Sequence, residues 1–216
     1  MSLPTPYYEE PGITIYHGDC LQLLPYLSRM DLVLTDPPYG IGRDGQRASN
    51  GMHGGRKAHQ FLRWDINRPH PIIFERLRAI SNHQIIWGGN YFADFLPPTM
   101  GWLVWDKGQR ITQSDGELAW TSYQRALRIF TLNRMALQQD GAEHPTQKPI
   151  ALMNWCLSLA TDCQSILDPF MGSGTTLLAA KNSGRTCIGI EIEEKYCQIA
   201  VDRLRQAVLP LPVVAQ

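Results

Sequence analysis

The sequence has no apolar run approaching the roughly 18 residues that a membrane-crossing helix requires. Its amino-terminal stretch also lacks the basic-then-apolar pattern of a secretion signal. These two absences predict a cytoplasmic protein with no membrane partner. Cysteine is sparse: Cys20, Cys156, Cys163, Cys187 and Cys197 are odd in number, and no two stand at zinc-ligand spacing. Reduced core thiols are expected and no metal site. Net charge is absent as well, since 20 basic residues balance 20 acidic ones, so the overall charge does not point to a polyanionic partner. What is present is 216 residues with 44% apolar content, enough for a single α/β domain over residues 1–216 with a substantial core.

Short apolar runs at 13–16, 31–34, 84–87, 102–105, 117–121, 165–168 and 186–191 read as strands. Apolar residues at helical spacing predict helices over 21–27, 72–80, 150–161, 175–181 and 193–208. Strands alternating with helices predict an α/β fold with a mostly parallel sheet. Trp102, Trp105 and Trp120 are expected in the core. Asp106 and Lys107 read as a surface ion pair of little energetic weight.

One strand runs into Asp36-Pro37-Pro38-Tyr39. Two prolines in succession donate no backbone N–H and hold the chain extended past the strand end. They fix the Asp36 carboxylate, the Pro37 carbonyl and the Tyr39 ring. Two acceptors beside an aromatic face suit a planar ring carrying an amino group, whose stacking is worth about 1–3 kcal/mol for a nucleobase. An ordinary Pro-Pro turn with a surface tyrosine is the other reading.

A second stretch favours the chemical reading. Residues 165–168 form a strand, a glycine loop follows through Gly172 and Gly174, and a helix begins at Thr175. The next strand ends in Glu191, about 20 residues beyond the loop, where the acid that holds the ribose diol of a nucleotide-like cofactor is expected. Asp19 also stands at a strand's carboxyl end, so Asp19, Asp36, Asp168 and Glu191 are expected to converge. As an isolated residue, Asp19 equally suits a helix cap.

These motifs resemble those of the S-adenosylmethionine-dependent DNA amino-methyltransferases. Asp168, Phe170, Gly172, Ser173, Gly174 and Thr175 match the family's cofactor loop, and Asp36-Pro37-Pro38-Tyr39 matches its catalytic tetrapeptide. The tetrapeptide precedes the cofactor loop, as in the beta class. The resemblance implies a circularly permuted Rossmann-like class I methyltransferase fold, mostly parallel, with helices on both faces and an antiparallel strand. It assigns Asp36, Pro37, Pro38 and Tyr39 to catalysis. It also implies that Asp19 contacts the cofactor's adenine and that Asp36, His144 and Lys148, the last two from the His144–Pro149 motif, lie near the cofactor. An Asp at the first tetrapeptide position leans towards N6 of adenine rather than N4 of cytosine, with direct in-line transfer to a flipped base. Carbon-5 cytosine chemistry needs a cysteine nucleophile, usually after proline, and the chain has no Pro-Cys pair. A catalytically idle DNA-binding module is the rival from another class. A homodimer is implied by the class alone, as is a bacterial or phage-infected host cell.

DNA is the expected partner. Arg43, Arg47, Arg56, Lys57 and Arg63 cluster directly after the tetrapeptide, in a glycine-rich stretch of about 41–70. That stretch is expected to be a mobile loop that neutralises phosphates and closes over the duplex. By resemblance, a short target-recognition segment occupies about 122–143, with Arg125 and Arg128 as contacts. So short a segment predicts a short recognition site or loose specificity.

Overall fold

The computed structural model describes residues 3–42, 65–108, 114–133 and 147–206. In chain order the elements are β1 (Tyr8–Glu10), β2 (Ile13–His17), α1 (Cys20–Leu23), β3 (Met30–Thr35), α2 (Pro71–Ile80), β4 (Ser81–Trp87), β5 (Leu103–Asp106) and β6 (Gly116–Thr121). They continue with β7 (Arg128–Thr131), α3 (Ile150–Leu159), β8 (Ser165–Asp168), α4 (Thr175–Asn182), β9 (Thr186–Glu191) and α5 (Glu194–Gln206).

The strands form one sheet in the order β1-β2-β9-β8-β3-β4-β6-β5-β7. From β2 through β4 every neighbour is parallel. β6 then runs against β4 and β5, and β1 runs against β2. The central strands bury both faces, which is why they read as continuous apolar runs rather than alternating ones. Leu32 and Leu34 of β3 face a layer that includes Leu152, Met153, Leu177, Ala200 and Leu204 from α3, α4 and α5. Val33, Leu167 and Ile190 face the other side, against Leu24, Ile73 and Leu77. The permuted, mostly parallel sheet covered by helices on both faces is therefore the one expected.

Four details differ from the sequence reading. The helix expected over 21–27 stops at Leu23, and Leu24–Tyr26 tightens into a 3₁₀ turn around Pro25, which has no N–H to continue the ladder. β4 begins at Ser81, ahead of its apolar part. The sheet gains an edge strand at each end, β1 and β7. The fourth difference concerns Lys107, which is buried rather than at the surface; its ammonium pairs with Glu117 at 2.5 Å.

Candidate active site

Because β2, β9, β8 and β3 are parallel neighbours, their carboxyl ends lie along one edge of the sheet. Just past those ends come Asp19, Glu191, the glycine loop and Asp36. Thr35, at the tip of β3, donates its hydroxyl to Asp168 Oδ1 of β8 at 2.7 Å. The Phe170 N–H reaches the same oxygen at 3.2 Å. The two motifs, 133 residues apart at this contact, thus meet in space. Burial pushes the Asp168 carboxyl up to about 6.

A cavity of about 390 Å³ runs along this edge, lined by Asp19, Asp36, Pro38, Lys148, Phe170 and Glu191 among others. At one end Glu191 accepts the Gly172 N–H on Oε2 and the Glu193 N–H on Oε1, both at 2.9 Å. Its carboxyl is pushed up to about 7 by burial, although both N–H donors favour the charged form. Gly174 turns the loop at φ 77°, a left-handed conformation open to glycine, and a side chain there would meet Ala200. Arg203 of α5 clamps the loop from behind, donating to the Ser173 carbonyl at 2.6 Å and to Thr175 Oγ1 at 3.1 Å. Ser173 donates to Gln147 Oε1 at 3.0 Å, which ties the loop to the segment before α3. Asp19 does both things open to it: it caps α1 by accepting the Leu21 N–H at 2.8 Å, and it lines the cavity.

At the other end of the cavity stands Asp36. Its Oδ1 accepts the Tyr39 hydroxyl at 2.5 Å, and its Oδ2 accepts from the Lys148 ammonium. Burial raises the Asp36 carboxyl above the ordinary range, against the opposing pull of Lys148. Burial also works against the Lys148 charge, yet Asp36, Glu117 and Tyr39 hold its ammonium well above the ordinary lysine range. The tetrapeptide backbone is pinned by Asp65, whose Oδ1 accepts the N–H groups of Tyr39 at 2.6 Å and Gly40 at 2.9 Å.

The sequence suggested an open aromatic face on Tyr39, whereas the structure stacks Tyr91 on it, with centroids 4.6 Å apart and planes 14° from parallel. Gly88 also lies against the Tyr39 ring. It holds φ 70°, and a methyl group built there would collide with the Tyr39 ring. Gly88→Ala is accordingly expected to cost about 3 kcal/mol of stability through overpacking and strain. It should also displace the Tyr39 ring; a denaturant titration checks the loss of stability.

Lys148 thus lies at the Asp36 carboxylate as well as along the cavity. Asp65, Glu117 and Tyr91 were missed by sequence reasoning. Nothing in the local pattern marks Asp65, Glu117 or Tyr91. Arg43, Arg47, Arg56, Lys57, Arg63 and His144, and the expected loop closure over 43–64, lie outside the described residues. The two remaining arginines are not brought to the cavity. Arg125 lies over the Tyr123 ring at 3.9 Å and donates to the Leu159 carbonyl at 2.7 Å. That carbonyl is at the far end of α3 from Lys148, about 15 Å away at 1.5 Å per residue. Arg128 is exposed on β7, four strand spacings or about 19 Å from β3. The 122–143 interval is also partly sheet, since β7 falls inside it. Among the described residues no group of three or more metal-ligating side chains is assembled, and no helix is long and apolar enough to cross a membrane.

A glycine loop and a paired acid at the carboxyl ends of adjacent parallel strands, opening on one cavity, define the class: a class I methyltransferase. Residues 104–202 match a family model described as DNA methylase of the N6/N4 type. Over 94% of its length the chain is 26% identical to the type II methyltransferase M.ScaI of Streptomyces caespitosus, covering 84% of that protein. It is 26% identical to the type II methyltransferase M2.DpnII of Streptococcus pneumoniae, over 92% of each chain. Among solved structures, the M1.HpyAVI complex with S-adenosylmethionine superposes with TM-score 0.62 at 28% identity, over 89% of this chain and all of that one. The PvuII N4-cytosine methyltransferase superposes with TM-score 0.62 at 15% identity, over 96% of this chain and 90% of that one, a likeness of fold. The chain is thus similar, in sequence and in fold, to the S-adenosylmethionine-dependent DNA N6/N4 amino-methyltransferases.

S-adenosylmethionine is the cofactor of that family, and the cavity's chemistry fits it. The lining carries five carboxylates, from Asp19, Asp36, Asp168, Glu191 and Glu193, against the single ammonium of Lys148. Such a surface suits a cationic sulfonium and a ribose whose hydroxyls donate.

Proposed function

We propose that this DNA methyltransferase acts on N6 of adenine in a flipped base, by direct in-line transfer. The observation that carries the reading is the continuity of the cavity. One space joins Glu191 and Asp19, suited to the cofactor's ribose and adenine, to Asp36 and Pro38 of the tetrapeptide. Bound S-adenosylmethionine supplies a methyl group activated by its sulfonium charge. The residues of this chain do the rest. The exocyclic amine of adenine is a poor nucleophile, because its lone pair is delocalised into the ring. Asp36 and the Pro37 carbonyl accept its two hydrogens and draw the nitrogen towards tetrahedral geometry, so its lone pair faces the methyl group. Positioning and stabilisation of the positive charge growing on that nitrogen provide the acceleration. Extruding the base costs a few kcal/mol, and stacking on Tyr39 offsets part of this once Tyr91 gives way. The exposed Arg128 serves as an outer phosphate contact.

Aspartate at the first tetrapeptide position supports adenine, while the same geometry would hold the N4 amine of cytosine. The relatives' designation as type II methyltransferases supports a cytoplasmic modification role beside a restriction nuclease. Incubation of the protein with labelled S-adenosylmethionine and unmethylated DNA, followed by mass spectrometry of the nucleosides, is expected to give N6-methyladenine. N4-methylcytosine as the product would replace the assignment. Absence of cofactor binding in calorimetry would point instead to an idle DNA-binding module.

A further inference from the structure

The acceptor role of Asp36 raises a problem of charge. A carboxylate matched one to one by a buried ammonium offers little net negative charge to a third group, yet the amine being methylated acquires positive charge and needs that field. Lys148 is not matched one to one. Glu117 Oε2 lies 3.0 Å from the same ammonium, while Glu117 Oε1 pairs with Lys107 at 2.5 Å. The four groups alternate in sign and are largely dry, with side-chain exposures of 4% for Lys107, 25% for Glu117, 6% for Lys148 and 20% for Asp36. Register explains how they meet. Ala119 of β6 pairs with Trp87, the last residue of β4, whereas Glu117 pairs with Trp105 on β5. β5 and β6 therefore overshoot β4 and carry Glu117 and Lys107 past the sheet edge to the side of Asp36.

We infer that Glu117 is a positioning residue for methyl transfer: by sharing Lys148 it leaves net negative charge on Asp36 facing the target amine. The inference rests on the reading above that Asp36 accepts that amine's hydrogens. Lys107 neutralises the remote oxygen of Glu117, so the chain of four has no net charge while its catalytic end stays anionic. Consistent with two cationic partners, Glu117 is held down to about 2 by Lys148 and Lys107, although burial works to raise it.

A mere strut between β6 and the catalytic loop would behave differently with pH. The groups acting on Asp36 among the described residues are Lys148, Tyr39, Glu117 and Asp168. Of these, Glu117 raises the proton affinity of Asp36 and Lys148 lowers it. Glu117→Gln in the full chain is therefore expected to reduce kcat about tenfold while KM for DNA and for S-adenosylmethionine stays within about twofold. The acid limb of kcat should move to lower pH. A weakened fold would move that limb upward or leave it in place. Glu117→Asp keeps the charge and is expected within about threefold of the parent rate, with the parent's acid limb; thermal melts of both variants monitor folding. An unshifted or upward limb in the Gln variant, or an Asp variant as impaired as the Gln one, overturns the inference. If Asp36→Ala still methylates DNA, the acceptor reading itself fails. If Asp36 proves essential and Glu117→Gln keeps the parental rate and limb, only the role of Glu117 does.

Discussion

Asp36→Ala is expected to lower the rate of methyl transfer by about 10³-fold or more, the scale of losing a preorganised electrostatic contact in a water-poor site. Cofactor affinity should change by no more than about threefold, since Glu191, Asp19 and the glycine loop, to which the proposal assigns that binding, lie at the other end of the cavity. The substitution also strands Lys148, whose ammonium loses its contact with Asp36 and keeps Glu117 and the Tyr39 hydroxyl, the latter at 3.2 Å. Breaking a buried pair in this way costs about 3–5 kcal/mol of stability, so Asp36→Asn, which keeps the shape, belongs beside it. Single-turnover methylation and calorimetric titration with S-adenosylmethionine separate the two effects. Transfer within tenfold of the parent in a folded variant would remove Asp36 from the mechanism.

The second large effect is on binding. Glu191→Ala removes an acceptor expected to receive two ribose hydroxyls, and with it the bonds from Gly172 and Glu193 that shape the loop. Charge-assisted hydrogen bonds contribute about 1.5–3 kcal/mol each, so S-adenosylmethionine affinity should fall by about 100-fold or more. The sign of the pH dependence follows from the carboxyl's position near 7. Below that pH Glu191 is largely neutral in the free protein, and above it charged. The donor hydroxyls favour the charged form. Affinity should therefore rise as pH increases through about 7 and then level off, with a proton released on binding below that point. Titrations in buffers of different ionisation enthalpy count that proton. Asp168, near 6, titrates in the same region, so the contribution of Glu191 is the part that Glu191→Gln removes.

The frame of this molecule was legible because its central strands are buried on both faces. Runs such as Leu32-Val33-Leu34 and Ile166-Leu167 have one physical explanation, and the acid one or two residues past each run sits at the ligand edge by topology. Asp36, Asp168 and Glu191 could thus be placed together from order alone. The edge strands were not legible. β7 is mostly exposed and has only four residues, and its partner β5 decides its conformation. The charged network was hidden for a related reason. Lys107 and Glu117 look like surface residues because what buries them is remote: Lys148 lies 112 residues from Asp36 in sequence. Tyr91 sits in a turn with no periodicity, and only the folded chain reveals that it covers Tyr39. Local pattern reports burial well when neighbours in sequence create it, and poorly when the partner is a distant charge.

The strand order carries a consequence for biosynthesis. β2 and β3 are consecutive in the chain, but in the sheet the late pair β9 and β8 stands between them. As the polypeptide leaves the ribosome, Asp36 waits beside a gap until more than 150 further residues have been made. Such non-local closure slows folding and exposes unpaired strand edges meanwhile. It also means that a chain terminated before residue 168 lacks the glycine loop that closes the cavity opposite Asp36.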